Sequence, residues 1–350
     1  MALILGIEST CDETAAAVVR DGTHVLSNVI ATQFPLHEKF RGVVPEIASR
    51  AHIENLLPVL KESLSQAGCT FADVDAISIT HRPGLIGSLL IGLTAAKTLA
   101  WTLNKPLIAV DHVHAHLYSV MLDSTSKPPQ FPAVGLVISG GHTSLYSLQS
   151  FSNIILIGST IDDAIGEAYD KVAAILNLPY PGGPPIDSRA AKGSPTVQLP
   201  RTLLEKNSLD FSFSGLKTAV LYHVKGTPQR IRHDLPPLPK PPPPELTPQH
   251  LADICASFQN TCIEIVLEKL RRAVRHTSAQ SILIGGGVSA NRGLRAALKQ
   301  LHLPVLFPPL PYCTDNAAMS AGLAHLFYER QQFSPLSLDA LTHSQFRDPA

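Results

Sequence analysis

The chain has 350 residues, of which 45% are hydrophobic and 16% charged, and its 28 Lys and Arg residues balance 28 Asp and Glu residues. This length exceeds what one hydrophobic core usually supports, so two domains or lobes are expected. The composition excludes a disordered or fibrous chain. The zero net charge excludes nucleic-acid binding through bulk basic character, so such a partner would meet a local patch or other subunits.

The cysteines and the apolar runs indicate the compartment. The five cysteines are scattered, and none has the spacing of a zinc ribbon or a CxxC motif. We therefore expect reduced thiols in a cytoplasmic protein. The apolar start, residues 1–7, is too short for a signal peptide, and no run approaches the length of a membrane span. No association with a membrane is expected.

The first predicted elements are two strands joined by a polar turn. An apolar run at residues 3–7 leads into the polar residues 8–13 and a second apolar run at 15–19. The pattern returns later, where the turn 139–143 separates two more predicted strands. Two copies of strand, turn and strand, each opening a long mixed segment, predict a duplicated α/β unit.

Two further segments combine a strand, a glycine-containing loop and a helix. A strand at 74–80 is followed by the loop 82–87 and an apolar helix at 88–103, and a strand at 281–284 leads through three glycines to a helix that begins at Asn291. A helix N-terminus in this position presents free N–H groups to an anion. Simple turn formation is the alternative interpretation of these glycines.

The segment 236–244 is rich in proline and predicts an extended polyproline conformation within a surface stretch of residues 228–248. It is either a spacer or a docking site for a proline-binding module. Thr247 and Pro248 then predict the start of a long helix over residues 249–276. The tail from Ser334 onward is expected to be loosely ordered.

A candidate metal site lies on a predicted amphipathic helix between Asp111 and Asp123. His112 and His116 are four residues apart, so their imidazoles project from one helix face and could meet at one metal. His114 points roughly the opposite way. The alternative is that these are surface or hydrogen-bonding histidines.

A third ligand must come from another part of the chain, and Asp315 is the candidate, because it stands directly before the apolar helix 317–328. Two histidines and one carboxylate leave open positions, as in non-haem iron or catalytic zinc sites. A lone Asp there is also typical of a helix N-cap. No Glu follows His112, so the HExxH motif of metallopeptidases is absent.

Nine collinear segments resemble the signatures of the tRNA threonylcarbamoyladenosine transferase family (TsaD, formerly called O-sialoglycoprotein endopeptidase). Together they run from about residue 3 to residue 328, nearly the whole chain. The segments are ILGIESTCDET at 4–14, VPEIASRAH at 44–52, HVHAH at 112–116, SGGHT at 139–143, IDDAIGEAYDK at 161–171, YPGGP at 180–184, FSFSGLK at 211–217, GGGVSAN at 285–291 and CTDN at 313–316.

The resemblance implies an α/β fold of the actin-like, sugar-kinase-like ATPase superfold, with two ribonuclease-H-like lobes around a central cleft. Lobe I would comprise residues 1–128, completed by the C-terminal segment 310–350, and lobe II residues 129–309. The duplication read from the strand pattern agrees with this expectation.

The resemblance also implies the reaction. A threonylcarbamoyl group would move from threonylcarbamoyl-AMP to N6 of the adenosine 3′ of the anticodon, in tRNAs that read codons beginning with A. The implied cofactor is one divalent metal per subunit, with Fe²⁺ favoured over Zn²⁺. The implied partners are tRNA, a TsaB-like paralogue and a TsaE-like ATPase.

Site residues carry over position by position from the family signatures. Asp12 and Glu13 are candidate essential acids, and which of them takes a proton stays open; their alternative is a solvated turn. His112, His116 and Asp315 match the family's metal ligands. The positions that would contact the acyl-adenylate are Ile138, Ser139, Gly140, Gly141 and His142 in the glycine turn, and Asp170, Gly183, Asp187 and Asn291 on its adenosine side.

Three features depart from the family pattern: Arg82, His114 in place of the acidic or small residue often found between the two histidines, and the insertion-like proline segment 236–244. Arg82 replaces the first glycine of a Gly-Pro-Gly loop, where it either strains a positive φ or offers a guanidinium to phosphate. The basic run 269–275 is either a tRNA-binding patch or, as we favour, a solvated helix face. The competing functions are a metallopeptidase, a sugar-kinase-like phosphotransferase and a non-catalytic scaffold.

Overall fold

The computed structural model describes residues 1–123, 125, 127–226 and 246–344. Most of the predicted proline-rich stretch 228–248, including the polyproline segment 236–244, therefore lies outside the described residues. The described chain forms two five-stranded sheets, each covered by helices.

The first sheet is built from the N-terminal third of the chain. Its spatial order is β3-β2-β1-β4-β5, with antiparallel pairing among the first three strands and parallel pairing of β1 with β4 and β4 with β5. Its strands are β1 (Leu3–Glu8), β2 (Glu13–Arg20), β3 (His24–Thr32), β4 (Ala76–Arg82) and β5 (Leu107–Asp111).

The second sheet repeats the same topology. Its order is β10-β9-β6-β7-β8, again with an antiparallel meander followed by two parallel strands. The predicted duplication of an α/β unit is therefore confirmed, including both hairpins. Its strands are β6 (Ala133–Ile138), β7 (Thr143–Ser150), β8 (Asn153–Ser159), β9 (Ser281–Gly285) and β10 (Val305–Leu306).

Helices connect the strands and cover both sheets. The helices are α1 (Phe34–His37), α2 (Pro45–Ala67), α3 (Ile86–Leu103), α4 (His112–Tyr118), α5 (Ile165–Ile175), α6 (Gly183–Ala190), α7 (Ser214–Lys225), α8 (Pro248–Thr277), α9 (Arg292–Leu298) and α10 (Ala317–Glu329). The long helix α8 begins as predicted, since Thr247 Oγ1 accepts the His250 N–H at 3.2 Å.

Two helices decide where the site lies. Helix α10, from the end of the chain, packs on β1, β2, β4 and β5 of the first sheet. Helix α4 follows β5 but inserts Val113 and Leu117 into a core that it shares with Val137 and Leu283 of the second sheet. Because α4 contacts α10 on one side and β6 and β9 on the other, it lies at the junction of the two sheets.

Helix α3 differs from the expectation that no segment approaches a membrane span. It has 18 residues with a mean hydropathy of 1.4, which is long and apolar enough to cross a membrane by length and composition, and 33% of it is buried. Its buried residues recur at intervals of three and four, including Leu89, Leu93 and Ala96, and pack in the core of the first sheet. Since core helices pass the same test, this helix is weak evidence for a membrane.

The chain after Ser334 is not loosely ordered up to residue 344, contrary to the sequence expectation. Ser334 pairs with β5, because its N–H donates to the Leu107 carbonyl at 2.8 Å and its Oγ accepts the Ala109 N–H at 3.0 Å. Further on, the Leu341 N–H donates to the His81 carbonyl at 3.0 Å. Backbone hydrogen bonds to a sheet edge fix a segment of low hydrophobicity that composition alone would leave free.

The basic run on α8 is not a uniformly solvated face. Lys269 is fully buried, and its Nζ donates to the carbonyls of Leu203 and Ser208 at 2.7 and 2.8 Å. Arg272 donates to the same two carbonyls at 3.3 and 3.2 Å. Two of the four cations in the run thus hold a loop of lobe II, which leaves Arg271 and Arg275 as the exposed ones.

We expect Lys269→Met to lower the free energy of unfolding by about 2 kcal/mol, since it removes a buried donor from two carbonyls. The matched control, Arg271→Met on the exposed face of the same helix, should change it by less than about 0.5 kcal/mol. Denaturant titrations followed by circular dichroism measure both values. Equal effects of the two substitutions would contradict the structural role of Lys269.

Candidate functional site

The helix that carries the two histidines begins directly after Asp111, whose two carboxylate oxygens both accept hydrogen bonds. Asp111 Oδ1 accepts the N–H groups of Val113 and His114 at 2.9 and 3.3 Å, which makes Asp111 the N-cap of α4. Helix α4 is shorter than the predicted helix 111–123. It ends at Tyr118, and a 3₁₀ turn follows at Ser119–Met121. Asp111 Oδ2 accepts from Arg82 Nε at 3.2 Å and from Ser344 Oγ at 2.9 Å.

The structure decides between the two interpretations of Arg82, backbone strain or a guanidinium that binds phosphate. Its φ is not in the left-handed region, so the residue carries no such strain. Its guanidinium is paired with Asp111 and is largely buried, with 16% of the side chain exposed. Burial alone would raise the pKa of Asp111, but His114, Ser344 and Arg82 outweigh it and the pKa is lowered. Arg82 thus anchors α4, and the structure does not place it as a free phosphate ligand.

The two histidines and Asp315 meet at the junction of the sheets. Asp315 Oδ1 lies 3.0 Å from His116 Nε2 and 3.6 Å from His112 Nε2. One nitrogen or oxygen atom of each residue lies within 4.8 Å of the others. Both histidine side chains are buried, whereas 20% of the Asp315 side chain is exposed. The three donors therefore converge at a point that is open on one side.

The charges of these residues depend on one another. Burial would raise the pKa of Asp315, but His112 and His116 lower it strongly, so the carboxylate is ionised. Burial would lower the pKa of His112, but Asp315 and Glu8 raise it to about 9. Burial dominates at His116 and lowers its pKa. At neutral pH Asp315 is therefore a carboxylate and His116 a neutral imidazole, both ready to bind a metal. His112 must first lose one proton before it can bind the metal.

The helix-cap alternative for Asp315 does not fit the geometry. Asn316, and not Asp315, caps α10, because its Oδ1 accepts the Met319 N–H at 3.0 Å. His114 is directed elsewhere and makes an edge contact with Tyr146, with ring centroids 5.9 Å apart. Two Nε2 atoms and one carboxylate oxygen are donors that suit iron or zinc. The donor set therefore fits a divalent metal.

The turn between β1 and β2 brings an acidic pair to the same cleft. Asp12 and Glu13 are only 6% and 8% exposed, which is not the solvated turn of the alternative interpretation. Burial, and then Asp315 and Asp12, raise the pKa of Glu13 well above its usual range. Among the described residues Asp12 Oδ2 is buried and has no hydrogen-bond partner. An oxygen of Asp12 without a hydrogen-bond partner among the described residues thus lies beside a carboxyl group whose pKa is raised.

This turn is held from behind by helix α2. His52 Nδ1 lies 2.7 Å from Thr14 Oγ1, and His52 Nε2 lies 3.0 Å from the carbonyl oxygen of Cys11. Burial, followed by Asp12, raises the pKa of the Cys11 thiol, so it is not a thiolate nucleophile. The sequence resemblance flagged the block containing His52, and the structure shows that it supports the turn.

The glycine turn occupies the equivalent position on the second sheet. The Ser139 N–H donates to the His142 carbonyl at 2.8 Å, and Ser139 Oγ accepts the His142 N–H at 3.1 Å. A Cβ added at Gly140 or Gly141 would meet no atom within 4 Å, so the turn borders open space. Burial, then His112 and His116, lower the pKa of His142 to about 4, which keeps its ring neutral.

In the glycine run at the end of β9, the second position must be glycine. Gly286 has φ +88°, and a Cβ there would lie 2.4 Å from the carbonyl oxygen of Ile138. Only glycine combines that conformation with so close an approach. This packing holds the end of β6, where Ile138 leads into the glycine turn.

The four residues expected on the adenosine side fall into two groups. Asp187 accepts from Gln259 Nε2 at 3.2 Å and from Arg292 Nε at 2.7 Å, and Asn291 Nδ2 donates to Gln259 Oε1 at 2.8 Å. Asp187 and Asn291 are thus joined through Gln259, which the sequence analysis did not identify. Asn291 Oδ1 also caps α9 by accepting the Leu294 N–H at 2.8 Å.

Asp170 and Gly183 lie at the α5–α6 connection. Asp170 Oδ1 accepts the Gly182 N–H at 2.6 Å, and Gly183 begins α6. Burial raises the pKa of Asp170 to about 6. Together with Tyr180 and Arg41, Asp170 lines a cavity of about 350 Å³. Arg41 ends the 3₁₀ turn Glu38–Phe40 that follows α1, so residues from both halves of the chain line this cavity.

Glu8 is the main residue that the sequence analysis missed, because it was read as part of the polar turn. It is the last residue of β1, is fully buried, and its Oε2 lies 3.3 Å from His112 Nδ1. Strand alternation was the available signal. Ile4, Gly6 and Glu8 share one face of β1, and Ile4 and Gly6 pack against α10. The face that meets α10 ends beside Asp315.

Comparison with known proteins adds a family and a fold. The family described as TsaD, tRNA N6-adenosine threonylcarbamoyltransferase, matches residues 24–322. A protein of that name from Moorella thermoacetica is 49% identical over 346 residues, covering 97% of this chain and 95% of the relative. One from Bacillus cereus is 46% identical over 343 residues, with the same coverage.

Solved structures with low identity show the fold alone. HypF from T. kodakarensis has a TM-score of 0.58 at 15% identity, covering 95% of this chain and 48% of that protein. The component A of (R)-2-hydroxyglutaryl-CoA dehydratase from Acidaminococcus fermentans has a TM-score of 0.54 at 15% identity, covering 94% of this chain and 99% of that protein. These neighbours have actin-like, sugar-kinase-like folds, which confirms the expected fold class.

The pKa values generate a prediction for metal binding. Since the pKa of His112 is raised to about 9, the imidazole must lose a proton to bind a metal below that pH. The affinity for Zn²⁺ should therefore rise by about tenfold per pH unit between pH 6.5 and 8.5. Calorimetry in two buffers with different ionisation enthalpies should show about one proton released per metal bound. A flat affinity over this range would contradict the assignment.

Proposed function

This chain belongs to the tRNA N6-adenosine threonylcarbamoyltransferase family and is a transferase that modifies tRNA; we propose that the cleft between its two lobes carries out the transfer. In this proposal the donor is threonylcarbamoyl-AMP. The acceptor is N6 of the adenosine 3′ of the anticodon in tRNAs that read codons beginning with A. The name shared by its close relatives does not favour the metallopeptidase, kinase or scaffold alternatives.

The observation that supports the proposed site most directly is the meeting of three groups at one place. The His112–His116–Asp315 triad lies at the junction of the sheets, and Asp315 acts electrostatically on Glu13 of the first turn. His142 of the second turn lies near His112, with ring centroids 6.1 Å apart. An acyl-adenylate bound between the two turns would have metal ligands on one side and carboxyl groups on another.

The cofactor is proposed to be one divalent metal per subunit, held by His112, His116 and Asp315, with Fe²⁺ favoured and Zn²⁺ the alternative. When bound, such a metal supplies Lewis-acid stabilisation of negative charge on the phosphate or carbonyl oxygens. Transfer would therefore depend on the metal.

The chain's own residues are proposed to bind and orient the donor. The turn from Ile138 to His142 borders open space at Gly140 and Gly141, which lets a ligand approach the backbone N–H groups. Asp170, Gly183, Asp187 and Asn291 would bind the adenosine portion, with the carboxylates accepting from ribose hydroxyls. Gln259 would support Asp187 and Asn291 through its two hydrogen bonds.

The acidic pair is proposed to handle the proton. As N6 attacks the carbamoyl carbonyl carbon, a C–N bond forms, the bond from that carbon to the phosphate oxygen breaks and AMP leaves with its electrons. N6 loses one proton in this process. Asp12 is the proposed acceptor, because its Oδ2 is buried and unpartnered among the described residues. Glu13, whose pKa is raised, stays protonated and donates a hydrogen bond.

Binding of tRNA is proposed to require other subunits. The chain has no net charge, and two cations of the basic run on α8 are used internally. A TsaB-like paralogue and a TsaE-like ATPase are the proposed companions.

The cytoplasm is the proposed compartment.

Depletion of this protein from its host tests the function as a whole. Nucleosides from total tRNA, separated and identified by mass spectrometry, should lose N6-threonylcarbamoyladenosine. Re-expression of the intact chain should restore this nucleoside. Re-expression of the His116→Ala variant should not, since the substitution removes one of the proposed metal ligands. The affinity of the purified His116→Ala variant for the metal should be at least about 100-fold lower than that of the intact protein. An unchanged nucleoside content after depletion would refute the proposed function.

The two carboxyl groups should respond differently to amide substitution. Asp12→Asn removes the proposed proton acceptor and should lower kcat by about 100-fold or more. Glu13→Gln replaces a protonated carboxyl by a group of the same shape that still donates, so kcat should fall by less than about tenfold. Single-turnover transfer from threonylcarbamoyl-AMP to tRNA measures both. A loss in Glu13→Gln as large as that in Asp12→Asn would show that the proton roles are misassigned.

A further inference from the structure

The two histidines of the candidate metal site differ on the side that faces away from Asp315. His112 Nδ1 has Glu8 Oε2 and Thr10 Oγ1 as neighbours, each at 3.3 Å. His116 Nδ1 is buried and has no partner among the described residues. Only one of the two imidazoles is therefore held from behind by a carboxylate.

Glu8 is fully buried, and its two carboxyl oxygens have different partners. It is 0% exposed at the end of β1, where a carboxylate is costly unless it is paired and hydrogen-bonded. Its Oε1 accepts the Thr10 N–H at 2.8 Å, and its Oε2 faces His112. The first contact shapes the turn toward Asp12, and the second reaches across to α4.

We propose that Glu8 is a positioning residue that fixes the tautomer and orientation of His112 for metal binding. A carboxylate accepts only, so it keeps the proton of the neutral imidazole on Nδ1. His112 Nε2 lies 3.6 Å from Asp315 Oδ1, which is beyond hydrogen-bond distance and farther than Nδ1 lies from Glu8, so the lone pair is on Nε2. A carboxylate in this position also makes the ligand nitrogen more basic. The inference rests on the metal site of the proposed function.

The substitution Glu8→Gln tests this role because it preserves shape and reverses one hydrogen bond. The amide oxygen can remain on the Thr10 N–H, which leaves the amide nitrogen facing His112 Nδ1. That nitrogen donates, so Nδ1 must accept and the ring proton moves to Nε2. The nitrogen that should bind the metal is then blocked. A merely structural Glu8 would tolerate this nearly isosteric change.

The first experiment measures metal affinity on the full-length protein, by competition of Zn²⁺ and Co²⁺ with a chelator at pH 8. Glu8→Gln should lower the affinity by about 10- to 100-fold, with a changed visible spectrum of the Co²⁺ form and a far-ultraviolet circular dichroism spectrum that shows the fold is kept. The matched variant Thr10→Val removes the other neighbour of Nδ1 and should lower it by less than about threefold. Unchanged affinity in Glu8→Gln, or an equal loss in Thr10→Val, would overturn the proposal.

The second experiment needs no metal and so separates this inference from the proposed function. Long-range ¹H–¹⁵N spectra of the metal-free protein at pH 10, with His112 assigned through His112→Gln, identify which ring nitrogen carries the proton. We expect Nδ1 in the intact protein and Nε2 in Glu8→Gln. An Nε2 proton in the intact protein would overturn the role of Glu8. If the tautomer is as expected but the intact protein binds no metal, the proposed metal site fails instead.

Discussion

The structure depends on the compensation of charge at the place where its two sheets meet. Glu8, His112, His116 and Asp315 are brought together from three separate parts of the chain, and most of their surface is removed from water. Buried ionisable groups are costly alone, and here His112 lies between the carboxyl groups of Glu8 and Asp315, while the neutral His116 lies 3.0 Å from Asp315. Removing one of them would leave another without a partner, so these contacts tie α4 and the start of α10 to the end of β1.

The short helix α4 transmits this constraint to both lobes. Asp111 holds its start and draws in Arg82 from β4 and Ser344 from the C-terminal segment. Leu117 at its other end packs with residues of the second sheet. A helix of two turns has little stability of its own, so its placement comes from the cap and from packing on both sides.

The duplicated topology explains how one cleft acquires two different chemistries. Each sheet begins with a hairpin, and the two hairpin turns point toward the junction. The turn between β1 and β2 carries the acidic pair, whereas the turn between β6 and β7 carries glycines and borders open space. The same backbone device thus presents carboxyl groups from one lobe and approachable backbone from the other.

The sequence by itself determined the elements and the duplication and supplied most of the proposed site residues, because hydrophobic periodicity and local motifs act over short distances. It paired His112 with His116 from helical spacing, and the collinear family segments singled out Asp315. Only the tertiary structure decided what depends on contacts between distant segments. Glu8 read as a turn residue until β1 was seen to end beside α4 and α10, and the helix-cap alternative for Asp315 stayed open until Asn316 was seen to take that role. Lys269 read as a surface cation and Ser334 as part of a free tail, since neither their carbonyl partners nor the edge of β5 is adjacent in sequence. Burial and partner choice arise when the sheets pack, and no local pattern encodes them.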